Sequence, residues 1–463
     1  MDSEEVLAQG SRVELAASTG DITQQNGSIS SSSSTSIDER NDGLRGYFET
    51  AQWTADGTTI LTSSSSNLIS GYIVPQDLLS PTAIRPLALN PQSTIQLPEP
   101  SNVLSGAPYF HLAEPWTQQL LVSARDHPIQ LFYLSPTSPS SPPPKPASSY
   151  PLTKARSETF LTATSLVWPA PGTHFIAGSR NLLAKFDVSR TGEEPLVRIK
   201  TIPSERHLSK GGGVGMRGDV SALSAQPPDA SYASLLAAGT WTCWVGLYDF
   251  AQAGSSCAVA TWSVARAAGE EEAAIGGDGV MQTIWSPCGR YLLVGERKSR
   301  GVLVYDVRVT GKLLGWLAGR EARGNQRIGC DVFPSSDDEG GFEVWSGTTD
   351  GVVKVWEGVG SREGTHNSAW GWNASHESTI GSTCVHQSGS VAVTCSGSWE
   401  FPDDDSDDDS SSSPSRSSNG VTNSDSDSES DVSSAEEFTW MRRRNKESSL
   451  KIWSMIGNGE EES

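Results

Sequence analysis

The chain has 463 residues, 36% of them hydrophobic, with 45 Gly, 26 Pro, 15 Trp and a formal charge of −21. Its acidity is concentrated in three stretches: residues 1–42 carry six more acids than bases, residues 402–437 eleven more and the last six residues three more, whereas 438–457 carry four more bases than acids, so everything between 43 and 401 holds only −5. The body of the chain therefore does not exclude an anionic partner. No apolar run approaches the length of a membrane span, and the Ser- and acid-rich start does not read as a signal peptide.

In chain order, residues 1–42 contain the string SISSSSSTS and no aromatics, too little apolar surface to offset chain entropy, and are expected to be disordered. From 43 to 457 the chain is dense in short β-branched and aromatic runs bounded by Gly, Pro, Asp and Ser, a pattern that means strands. The runs repeat as strand, tight turn, strand, hairpin, strand with a terminal aromatic. Residues 280–306 show this most clearly: VMQTIW, SPCG, RYLLVG, GVLVYD. Ala55-Asp56-Gly57, Ala170-Pro171-Gly172 and Gln387-Ser388-Gly389 occupy the slot of Ser286-Pro287-Cys288-Gly289, supplying a preset φ or a residue tolerant of positive φ. Asp350-Gly351 suits a hairpin turn between EVWSG and VVKVW.

The third-strand aromatics fall at Tyr72, Phe132, Phe186, Tyr248, Tyr305, Trp356 and Trp453, with 51–62 residues between successive positions and 97 before the last. Removing a 46-residue insert (402–447) brings that last interval to 51. A four-stranded propeller blade takes about 40–45 residues, so each unit is one blade plus a longer loop. The expected fold is all-β: a seven-bladed β-propeller over 43–457, with a Pro/Ser-rich loop at 135–149, a disordered acidic and basic insert at 402–447 in the last blade and an acidic tail at 458–463. Because Leu450-Lys451-Ile452-Trp453 is the third strand of blade seven, its fourth strand must come from the N-terminal side, by residues that the pattern does not reveal. Trp453 is expected in that blade, and truncation before Leu450 should leave the ring open.

No catalytic constellation stands out. The seven histidines are scattered, and the Gly-rich run at 209–219 lacks the Lys-Ser/Thr of a phosphate loop. The six cysteines (Cys243, Cys257, Cys288, Cys330, Cys384, Cys395) form no CxxC pair and no metal spacing, as for free thiols in the cytosol or nucleus. No metal or cofactor is expected. The informative residues are basic. Arg125 and His127 lie in the second-to-third-strand hairpin of blade two, Arg180 in that of blade three, and Arg297, Lys298 and Arg300 in that of blade five. Arg320, Arg323 and Arg327 lead into blade six. Such residues on loops can contact phosphate and stack on unpaired bases. These hairpins and the connections between blades are expected on opposite faces, so the clusters need not form one patch. Arg442, Arg443, Arg444 and Lys446 read as a nuclear-localisation or nucleic-acid stretch. Ser424, Ser426 and Ser428 each precede an acid by three residues, as acid-directed kinases prefer.

Five strings carry a family resemblance: GYFETAQWTADGTTILTSSSSNLISGYIVP (46–75), SARDHPIQLF (123–132), LLAAGTWTCWVGLYDF (235–250), GNQRIGCDVFPSS (324–336) and STCVHQSGSVAVTCSGSWEFP (382–402). In this order they resemble the WD-repeat telomerase Cajal-body protein family, of which the chain looks like a fungal-type member. Arg-Asp-His-Pro (125–128) and Asn-Gln-Arg-Ile (325–328) are the most specific parts. The resemblance implies a non-enzymatic propeller that binds small nuclear RNAs and helps assemble or localise their particles, telomerase and splicing components among them. It adds Gln326 to the candidate RNA-facing residues and makes Arg327 an expected partner-facing side chain. The chain is then expected to act as a monomeric propeller within a nuclear complex, in Cajal-body-like foci with a cytoplasmic pool. The alternative reading is a protein-binding scaffold of a nuclear complex without direct RNA contact.

Overall fold

The computed structural model describes residues 12–23, 46–137, 142–154, 156–202, 216–227, 235–250, 258–269, 275–335, 341–375, 378–400 and 444–456. Within them lie seven blade sheets arranged as a β-propeller, each built on four antiparallel strands; six take these strands in chain order, and the seventh takes its outermost strand from the N-terminus. The innermost strands are Phe48–Trp53, Ser101–Gly106, Ser165–Val167, Val220–Ala225, Val280–Trp285, Cys330–Pro334 and Ile380–Val385.

Burial within a blade explains its composition. Second strands such as Tyr291–Glu296, Thr59–Ser64 and Val391–Ser396 are buried at every residue because neighbouring blades cover both faces of the sheet. Outermost strands such as Ala258–Ser263 and Val197–Lys200 are mostly exposed and correspondingly mixed. The seven third-strand aromatics are all buried, from 0% exposed at Trp356 to 8% at Trp453, and they wedge between blades. Phe175 and Phe186 stack at 4.9 Å with Tyr150 edge-on at 5.0 Å, joining blades two and three. Trp345, Trp370, Trp372 and Trp453 do the same between blades six and seven.

The four tight turns share one hydrogen bond, in which the glycine N–H donates to the carbonyl three residues back: Gly57 to Thr54, Gly172 to Pro169, Gly289 to Ser286 and Gly389 to His386, at 2.8–2.9 Å. All four glycines have positive φ, between 69° and 95°.

Ring closure supplies what the pattern left open. Arg12–Ser18, inside the segment expected to be disordered, is the outermost strand of blade seven and runs antiparallel to Leu450–Ile456, with Leu15 opposite Trp453. The expectation of disorder thus fails for these residues. Val-Glu-Leu-Ala-Ala alternates well enough to pair once an unsatisfied sheet edge is offered, and the Ser-rich average of the segment hides it. The 135–149 loop likewise ends in strand, since Ser148–Tyr150 is the outermost strand of blade two. The insert 402–447 closes on itself, with Trp399–Glu400 pairing Arg444–Asn445, while residues 401–443 lie outside the described set. Two outer edges are covered by extra parallel segments, Leu87–Ala88 beside Arg12–Ser18 and Gly364–His366 beside Leu313–Ala322.

Candidate nucleic-acid interface

Three strand-to-strand turns and one connection to the next blade reverse the chain at alternating ends of a four-stranded blade. The second-to-third-strand hairpin and the connection into the next blade must therefore emerge on the same face, which corrects the expectation of opposite faces. Backbone hydrogen bonds tie them together in every blade. Ser65 donates to the Tyr47 carbonyl, Arg125 to Pro100, Asn181 to Gly218, Trp241 to Asp219, Arg297 to Gly279, Thr349 to Glu321 and Gly397 to Thr379, at 2.8–3.3 Å. Lys298 also donates to Gly324 at 3.3 Å, joining the blade-five hairpin to the connection beyond it. The base of the insert, at Ser398 and Lys446, shares this face.

The basic residues picked in the hairpins and in the connection into blade six, Arg320 apart, thus fall on one face, in three environments. Arg125 and Arg180 are exposed at their hairpins, and His127 is half-buried beside Arg125. In blades five and six the cations are gathered by two acids. Asp278 accepts from Arg297 through both its backbone oxygen and its carboxylate (3.1 Å to Nη2), with Lys298 Nζ at 3.9 Å. Glu321 receives Arg300 at 2.9 Å and Arg323 at 2.7 Å. Burial alone would raise the Glu321 carboxyl, but the hydrogen bonds from Arg300 and Arg323 override it and hold it below its ordinary value. Lys298 (47% exposed) and Arg323 (64%) nevertheless keep much of their side chains in water.

The third environment lies where the blade-six connection meets the innermost strands of other blades. Arg327 leaves the blade-six connection and donates from Nη2 to the Ser221 carbonyl, at 3.1 Å, on the innermost strand of blade four. Burial lowers the Arg327 pKa and raises that of Glu49 on the innermost strand of blade one, and the attraction between the two opposes both shifts. Gln326 donates to the Gly397 carbonyl at 2.6 Å. These two residues tie the blade-six connection to blades four and seven. Arg320, expected in the connection, instead lies in the outermost strand Leu313–Ala322, 2% exposed, donating to Ser346 Oγ and to the Ile328 carbonyl.

Arg444 stands at the insert base, where the Lys446 N–H donates to the Ser398 carbonyl at 3.2 Å. Arg442, Arg443, Ser424, Ser426 and Ser428 lie outside the described residues. Sequence reasoning missed Asp278, Glu321 and Trp241. Asp278 sits 19 residues from Arg297 and Glu321 sits 21 from Arg300, pairings only the fold reveals, while Arg323 is just two residues from Glu321. Trp241 occupies a hairpin slot that could have drawn notice.

No family model matches the chain. It is 27% identical over 322 residues (69% of this chain and 73% of the relative) to a protein of Schizosaccharomyces pombe named guanine nucleotide-binding protein negative regulator 1. It is 26% identical over 315 residues to telomerase Cajal body protein 1 of Rattus norvegicus, and 25% identical over 363 residues to that of Homo sapiens. These alignments cover 67% and 77% of this chain but only 51% and 58% of the mammalian proteins, so the chain spans little more than half of their length. The resemblance to the WD-repeat telomerase Cajal-body family is borne out by these relatives.

Proposed function

We propose that the protein is a nuclear WD-repeat propeller that binds structured RNA through the face bearing the hairpins and blade connections, and that it serves assembly or localisation of a small nuclear ribonucleoprotein particle. The observation that carries this reading is the gathering of Arg125, Arg180, Arg297, Lys298, Arg300 and Arg323 on one face of a chain whose formal charge is −21. Guanidinium groups on loops suit phosphate contact and stacking on unpaired bases, the way structured RNA is mostly read. The names of the mammalian relatives support a telomerase or Cajal-body setting and a nuclear location, and give no support to a cytoplasmic pool. Sequencing RNA crosslinked to the protein in cells tests the proposal: enrichment of small nuclear RNAs is expected, and recovery of only background RNA would overturn it.

A second reading has its own support. Asp278 and Glu321 already neutralise part of the face, and the fission-yeast relative's name refers to regulation of a guanine nucleotide-binding protein. On that reading the same face is a protein-docking scaffold, and binding to RNA is weak and indifferent to loop structure.

A further inference from the structure

Blades four and five meet on this face in an aromatic and cationic assembly that the basic-residue pattern does not contain. Trp241 is half-buried in the blade-four hairpin. The Arg297 guanidinium of the blade-five hairpin lies 4.6 Å from the centroid of its ring. The backbone beneath Trp241 and the Arg297 guanidinium are both tied down. The Trp241 N–H donates to the Asp219 carbonyl at 3.2 Å, and Thr242 donates to the Arg217 carbonyl. Gly279 (φ +112°) packs against the Trp241 backbone so closely that any Cβ there would collide with the Trp241 carbonyl. Asp278 holds Arg297 from both its backbone oxygen and its carboxylate, and keeps Lys298 Nζ within 3.9 Å.

An indole with a guanidinium fixed across it, flanked by an exposed ammonium, offers a flat π-surface and a phosphate contact side by side. Stacking on such a surface is available to any unpaired base, whereas a base inside a duplex already stacks on its neighbours. Holding the guanidinium in place beforehand spares binding the entropy of ordering a long side chain. We infer that Trp241 and Arg297 form a stacking platform for one unpaired nucleotide of a structured RNA, with Lys298 contacting the adjoining phosphate. This rests on the RNA-binding reading above and sharpens it: the face selects looped over fully paired RNA.

The test uses the full chain with two labelled RNAs, a hairpin carrying 2-aminopurine at an unpaired loop position and a blunt duplex of matched length. The wild-type protein is expected to bind the hairpin more tightly and to quench the 2-aminopurine on binding. Trp241→Ala should weaken hairpin binding roughly five- to hundredfold, the range seen when a stacking aromatic is lost, while leaving duplex binding unchanged. Trp241→Phe, which keeps a ring, should restore most of both signals, and this separates stacking from a purely structural clasp between the blades. Equal losses for hairpin and duplex, or unaltered quenching in Trp241→Ala, would overturn the platform while leaving RNA binding in place. A wild-type protein that binds neither RNA would overturn the RNA reading itself, and the platform with it.

Discussion

Charge on the candidate face is regulated residue by residue. Glu321 ties up Arg300 and Arg323, so Glu321→Gln should free two guanidinium groups, raise RNA affinity and steepen its dependence on salt; an unchanged affinity would show that these arginines do not touch RNA. Three carboxyls, one buried and two half-buried, behave in the opposite sense. Burial raises Glu49, Glu296 and Asp331, the last to about 6, even though Asp331 accepts from the Val332 and Val385 N–H groups. A carboxyl whose folded pKa lies above its unfolded value binds more protons in the folded state, so its penalty is absent in acid and grows as pH rises through the unfolded value to about 6. The urea midpoint of the wild-type protein should therefore carry a component that falls between pH 4 and 6.5, and Asp331→Asn should flatten that component; parallel profiles would contradict the assignment. Arg327 is predicted to act as a tie between blades. Its truncation leaves the Ser221 carbonyl without its guanidinium donor and removes the positive charge that offsets the burial of Glu49, so Arg327→Ala should cost roughly 1–3 kcal/mol, and less when Glu49→Gln is also present. Equal cost in both backgrounds would break the link between the two side chains.

Within single elements, legibility followed local chemistry. The seven terminal aromatics and the four Gly turns were readable because each is dictated by neighbours a few residues away: a wedge between blades, or a φ that only glycine adopts cheaply. Arg12–Ser18 was not readable, because what makes it a strand is the exposed edge of Leu450–Ile456 more than four hundred residues on. That hairpins and connections share a face follows only from the sum of chain reversals through all four strands, which no local pattern carries. Deleting residues 1–19 should uncover the Leu450–Ile456 edge, lower the melting temperature and promote association between copies, whereas an unchanged melting curve would deny this strand its closing role. Gly351 (φ +84°) supplies a sharper probe, since a Cβ there would run into the Ser375 carbonyl. Gly351→Ala should destabilise by at least about 1 kcal/mol, and a neutral result would contradict the hairpin geometry.

At the scale of the whole molecule, function depends on how the ring sorts charge. The acids that make the chain strongly negative are concentrated in tails and insert, while a closed ring of seven blades projects loops from two faces and collects its arginine-bearing hairpins on one. The ring itself supplies rigidity, so loops need only carry chemistry. A net negative chain that binds a polyanion must do so through a local cationic surface, and such binding is salt-dependent in proportion to the phosphates neutralised. The most direct measurement is the affinity of the full chain for a labelled loop-containing RNA, titrated with salt, for the wild-type protein and for the Arg125→Ala, Arg180→Ala, Lys298→Ala triple variant. The account predicts a steep negative slope of log affinity against log salt that becomes shallower by roughly 0.7 to 0.9 for each lost phosphate contact, with the melting temperature unchanged. A flat slope in the wild-type protein, or the same slope in both, would contradict it.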